Sequence, residues 1–122
     1  MVKLFRKEDL MSAKNGLIDQ AYRENILTGA DTARALGGLL VIVPPGVEGQ
    51  FHYHVKRESI QVFLSGEAIG CFTDREFPVV AGDVLFIPSG EKHRISNRSD
   101  KEVRFLEFFT EPPLESDFVP VG

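Results

Sequence analysis

This 122-residue sequence has a single cysteine, no tryptophan, a formal net charge of only -4 and no long hydrophobic run. With Cys71 alone, no internal disulfide can form, which points to a reducing compartment, the cytoplasm. Cys71 lies in the apolar run Ala68 to Phe72 and reads as a buried, inert thiol. The longest apolar stretch, Leu39 to Val43, is strand-sized and stops at Pro44-Pro45, so no membrane partner is expected. Acidic and basic residues are mixed along the chain. That excludes the clustered Lys and Arg of a nucleic-acid footprint. The charged stretch Val2 to Leu10 is not followed by an apolar segment of the kind a signal peptide needs. No repeat or low-complexity tract is visible, and the length suits one domain with a core of its own.

What is present falls into two regimes. Residues 1–36 mix charges with Ala, Asn and Gly, lack alternation, and suggest helical turns around Ile18 to Leu27. They read as an arm or cover that is too short to own a core. From residue 37 to 122, short β-prone runs alternate with Gly, Pro, Asp and Ser punctuation. The runs are Gly38 to Val43, Gln50 to Val55, Ser59 to Leu64, Ala68 to Phe72, Phe77 to Val80, Val84 to Ile87, Arg94 to Asn97 and Val103 to Thr110. Eight short strands with tight connections predict an all-β jelly-roll barrel with an N-terminal arm.

All three histidines and one glutamate sit in two short segments. His52 and His54 are two apart on a strand, so both imidazoles project from one face. After the turn Val55-Lys56-Arg57, Glu58 opens the return strand and is expected on that same face. His93 follows the turn Pro88 to Lys92 and is expected to approach from the opposite side of the barrel. Three neutral imidazoles and one carboxylate make a mixed N/O site for a single divalent transition metal (Mn, Fe, Co, Ni, Cu or Zn), with positions left for a small-molecule ligand. Gln50 shares the His52 and His54 face. Ile60 and Val62 share the Glu58 face and are expected to floor the cavity.

These residues resemble the two motifs of the cupin superfamily, in its small single-domain form. The first motif reads from Gly46 through His52, His54 and Glu58 to Gly66. Seven residues separate Glu58 from Gly66 where the family pattern has six. The second reads Gly82, Pro88, Gly90, His93 and Asn97, with every position filled. The resemblance implies a double-stranded β-helix and four metal ligands, His52, His54, Glu58 and His93, with Asn97 as a hydrogen-bonding residue behind the ligands or in the turn. It also implies a homodimer. Its members include dioxygenases, isomerases, decarboxylases, lyases and non-catalytic binders. With Glu58 consumed as a ligand no general base is left over, which favours dioxygenase-like chemistry over proton-shuttling isomerase, decarboxylase or lyase chemistry. A non-catalytic ligand-binding barrel is the rival class.

Overall fold

The alternating runs form strands between Gly and Pro turns, and the computed structural model, which describes residues 2–122, assembles ten of them into two antiparallel five-stranded sheets. One sheet has the order β1 (Tyr22–Leu27), β2 (Leu36–Val43), β9 (Val103–Thr110), β4 (Ser59–Ser65), β7 (Val84–Ile87). The other has the order β10 (Val119–Pro120), β3 (His52–Tyr53), β8 (His93–Ser96), β5 (Glu67–Phe72), β6 (Glu76–Val80). This is the double-stranded β-helix, and its strands include one on each of the eight expected runs. Among the described residues no helix is long and apolar enough to cross a membrane.

Two segments differ from the expectation. Residues Tyr22–Leu27 are a strand instead of helical turns, paired with β2 from Tyr22 opposite Ile42 to Leu27 opposite Gly38. A short segment has little helical stability of its own, and the open edge of β2 offers it a full ladder. Among the described residues the arm has one α-helix, α1 (Lys7–Ser12), and it lies earlier. At the other end, β10 pairs with β3, Val119 opposite Tyr53 and Pro120 opposite His52.

The main core lies between the sheets. Leu39, Val41, Phe63, Phe105 and Phe109 meet Ala68, Val79 and Ile95 there, and the Phe63 and Phe105 rings are 4.8 Å apart. A second cluster covers the outer face of the first sheet, where Leu40, Ile42 and Leu106 pack under Leu10 of α1 with Phe5 and Leu17. Burial on both faces explains why β2 is apolar without alternation. Fully buried Arg104 pins the arm down: Nη1 donates to the Leu10 carbonyl at 2.9 Å and to that of Ala13, and Nη2 to that of Lys14 at 2.8 Å. The Leu10 and Ala13 carbonyls are among those that the end of a short helix leaves unpaired, and Lys14 follows the cap. Gly66 turns β4 into β5 at φ +83°, where a Cβ would come within 2.4 Å of the Glu102 carbonyl oxygen.

Candidate metal centre

Strand period places His52 and His54 on one face of the second sheet, and register places His93 of β8 directly opposite His52. His93 therefore comes from the neighbouring strand of the same sheet, not from the far side of the barrel. The ring centroids are 4.3 Å apart for His52 and His93, 4.9 Å for His52 and His54, and 5.5 Å for His54 and His93. One ligand atom from each residue lies within 4.8 Å of the others, a set that can hold a metal ion.

Which nitrogen faces the centre follows from the main chain. Nδ1 of His52 is 2.6 Å from the Gln50 carbonyl oxygen, Nδ1 of His93 is 2.8 Å from that of Glu91, and Nδ1 of His54 bonds that of Asp117. A carbonyl only accepts, so each Nδ1 carries the proton and each Nε2 presents a lone pair. Nε2 of His54 is buried and has no hydrogen-bond partner among the described residues. A buried acceptor left bare is costly, and a metal ion held there together with the other two imidazoles removes that cost. The residues fit the metal.

Electrostatics point the same way. Burial pushes the His52 imidazole down from 6.5 to about 4, against an opposing pull from the Gln50 carbonyl. Burial also lowers His93, partly offset by the Glu91 carbonyl and by Glu107. Both rings stay neutral at physiological pH, the form that ligates.

Glu58 does not join them. It is exposed, one residue before β4, its N–H bonded to Thr110 Oγ1 at 2.9 Å. The inward side chains of β4 are Ser59, Gln61 and Phe63, all buried. Ile60 and Val62 share the outer phase with Glu58, so they do not floor the cavity; Ile60 is paired with exposed Phe86 of β7. The physical reason is the period of two: a one-residue shift turns every side chain to the other face. With six residues between it and Gly66, the position that matches the family pattern is Ser59, so the seven-residue spacing was the visible sign. Gln50 does line the cavity. Asn97 is fully buried away from it, its amide nitrogen donating to the Val43 and Lys101 carbonyls at 2.9 and 2.7 Å. Asn97 is a turn-holding residue.

Sequence reasoning missed four residues of this site, and a fifth, Phe118, was legible only as an apolar residue unusual in a free chain end. Arg57, read as part of a turn, is buried and lines the cavity of about 70 Å³ together with Gln61 and Glu107. Gln61 and Glu107 pair directly across β4 and β9, with Gln61 Nε2 donating to Glu107 Oε1 at 3.0 Å. Glu107 had a signal, a charge in phase with Phe105 and Phe109 on the inward side of β9. From the tail, the Asp117 carboxylate accepts the N–H groups of Val55, Lys56 and Arg57 at 2.7–2.9 Å. Burial would raise its pKa, yet those three N–H groups outweigh it and the net shift is downward. Phe118 stacks on His52 at 4.6 Å and 24°.

Comparison with known proteins agrees with this geometry. The cupin domain model matches residues 39–109, and the chain belongs to the cupin family. The oxalate decarboxylase of Bacillus subtilis is 26% identical over 84% of this chain and 32% of its own length. A solved structure of that enzyme, concerned with its Mn(II) centres, superposes with a TM-score of 0.69 over 83% of this chain and 27% of that one. An oxalate-binding protein of Thermotoga maritima is 36% identical over 52% of this chain and 53% of its own length. The chain thus spans about a third and about half of the lengths of these two curated relatives. A double-stranded β-helix protein of Klebsiella pneumoniae, 19% identical, shares the fold along 100% of this chain and 99% of its own, with a TM-score of 0.78.

Proposed function

We propose that this protein holds one divalent transition-metal ion on Nε2 of His52, His54 and His93 and uses it to bind a small carboxylic acid, with decarboxylation as the reaction class. The observation that carries this reading is the convergence of three imidazoles, each with Nδ1–H tied to a carbonyl. All three donors are neutral, so a bound ion keeps its full positive charge and favours an anionic ligand. A cavity of about 70 Å³ has room for a few non-hydrogen atoms, at roughly 10–15 Å³ for each water-sized occupant. That space suits a small acid. Exposed Arg23 lines both the cavity and its wider mouth, a cation on the path of an incoming anion.

The sequence argument for dioxygenase-like chemistry rested on Glu58 being consumed as a ligand. Glu58 lies outside, and Glu107 lines the cavity as a carboxyl group that is not a metal ligand, one of its oxygens accepting from Gln61. Loss of CO2 leaves the electron pair of the broken C–C bond on the remaining carbon, which needs a proton, and Glu107 is positioned to hold it. When bound, the metal supplies Lewis-acid polarisation of an acid oxygen. The names of the two relatives, an oxalate decarboxylase and an oxalate-binding protein, support the small-acid reading. The second of them favours a non-catalytic binder as the runner-up.

Calorimetric titration of the manganese-loaded protein with oxalate and with glycolate tests the binding. At least one is expected to bind with one site per chain, and binding is expected to vanish in His93→Ala. Failure of both acids to bind rejects the reading, and binding without any CO2 release selects the non-catalytic form. A homodimer remains part of the proposal: exposed Ile60, Val84 and Phe86 share one outer face at the β7 edge, and sedimentation as a monomer rejects it.

A further inference from the structure

Three polar atoms of cavity-lining residues are left over once the three histidines are accounted for. One, Nε of Arg94, belongs to a partly exposed side chain that reaches out to Glu48 at 3.4 Å, and the other two belong to fully buried residues. Nη1 of Arg57 and Oε1 of Gln61 are shut off from solvent and, among the described residues, hydrogen-bonded to nothing. Both side chains line the cavity that holds the imidazoles, and the residues are only 1% and 2% exposed.

Neither can turn away to find a partner. The other edge of Arg57 is committed, with Nε donating to the Thr110 carbonyl at 3.2 Å and Nη2 to those of Glu111 and Pro113 at 3.1 and 3.0 Å. Its guanidinium also lies 4.3 Å from the centre of the Phe109 ring. Gln61 is held by Glu107, which takes its Nε2 hydrogen at 3.0 Å. Turning the amide over would set its carbonyl against that carboxylate, so Oε1 is the free end. A buried polar atom without a partner in a small cavity marks where a ligand group belongs.

We propose that Arg57 Nη1 and Gln61 Oε1 form a donor–acceptor pair that selects a hydroxy acid, Nη1 donating to a carboxylate oxygen and Oε1 accepting the hydroxyl hydrogen of the same ligand. This rests on the small-acid reading above and narrows it to its binding form, because loss of CO2 from a simple hydroxy acid would leave the electron pair on a carbon with nothing to delocalise it. A fully ionised diacid such as oxalate brings acceptors alone, so it satisfies Arg57 but sets an oxygen against the Gln61 carbonyl. One carboxylate and one hydroxyl satisfy both atoms, as a small hydroxy acid such as glycolate or lactate would.

The test compares glycolate with methoxyacetate, whose ether oxygen keeps an acceptor in place and carries no hydrogen. Titrated calorimetrically into the manganese-loaded protein, glycolate is expected to bind at least about tenfold more tightly, because a site built around a ligand hydroxyl discriminates strongly against its absence. In Gln61→Leu the ratio is expected to fall about tenfold or more, while any preference due to size alone would persist. If that variant fails to fold because Glu107 is stranded, the double variant Gln61→Leu, Glu107→Leu removes both partners and takes its place. Equal affinities in the parent protein, or a preference unchanged by removing the Gln61 amide, overturns the proposal. Binding of oxalate without glycolate overturns it too, and leaves the small-acid reading standing. If oxalate, glycolate and methoxyacetate all fail to bind, both fall together.

Discussion

A histidine offers Nε2 to a metal only when its proton sits on Nδ1, and here three main-chain carbonyls decide the matter. Two of them belong to residues near the ring in sequence, Gln50 for His52 and Glu91 for His93. The third, for His54, comes from Asp117, sixty-three residues away. The Asp117 carboxylate simultaneously holds the N–H groups of residues 55–57, so one side chain fixes both the loop after His54 and the carbonyl that orients its ring. Asp117→Ala is expected to weaken metal affinity by about 10–100-fold with the barrel still folded, the usual cost of losing the partner behind a ligating histidine. Competition against a chelator of known affinity measures it. Nothing in the sequence marked Asp117, because a lone aspartate in a Pro-rich tail has no periodic signal and its role depends on where the tail lands.

At the scale of elements, legibility depends on whether the signal is local. The pair His52 and His54 was readable because strand period is a local rule, and β8 brings His93 opposite His52 through the turn at Gly90. Gly90 sits at φ +82° and donates its N–H to the His54 carbonyl at 2.7 Å. Strand β4 was readable as a strand but not in its phase, since the turn before it holds one residue more than the inward position of Glu58 would need. Arg57 and Ser59 therefore take the buried positions and Glu58 the exposed one. The strand β1 was missed because its partner is the far edge of β2, a tertiary cause that local propensity cannot see. The arm that contains β1 and α1 depends on Arg104. Arg104→Met, which leaves the carbonyls of Leu10, Ala13 and Lys14 without their donor, is expected to cost on the order of 3 kcal/mol in urea unfolding. An unchanged midpoint would mean that the arm is held by the Leu10 and Phe5 packing alone.

The whole molecule is a barrel of two sheets, closed at the metal end by its own C-terminal tail, with Phe118 on His52 and β10 along β3. Its stability should record the neutral histidines. The unfolded chain takes up a proton at His52 near pH 6.5, whereas the folded chain resists until about pH 4. Between those values the unfolded state holds more protons, so stability falls as pH falls, and His93 adds to the same trend. The urea midpoint of the metal-free protein is expected to drop steadily from pH 7 to pH 5, and a flat midpoint over that range would contradict neutral, buried imidazoles. The central claim is a centre of three histidines without Glu58, and the most direct test titrates manganese into the metal-free protein, Glu58→Ala and His93→Ala. One ion per chain with unchanged affinity is expected for the parent and for Glu58→Ala, and loss of most of the affinity for His93→Ala. A Glu58→Ala variant that loses its metal as His93→Ala does would contradict the three-histidine centre.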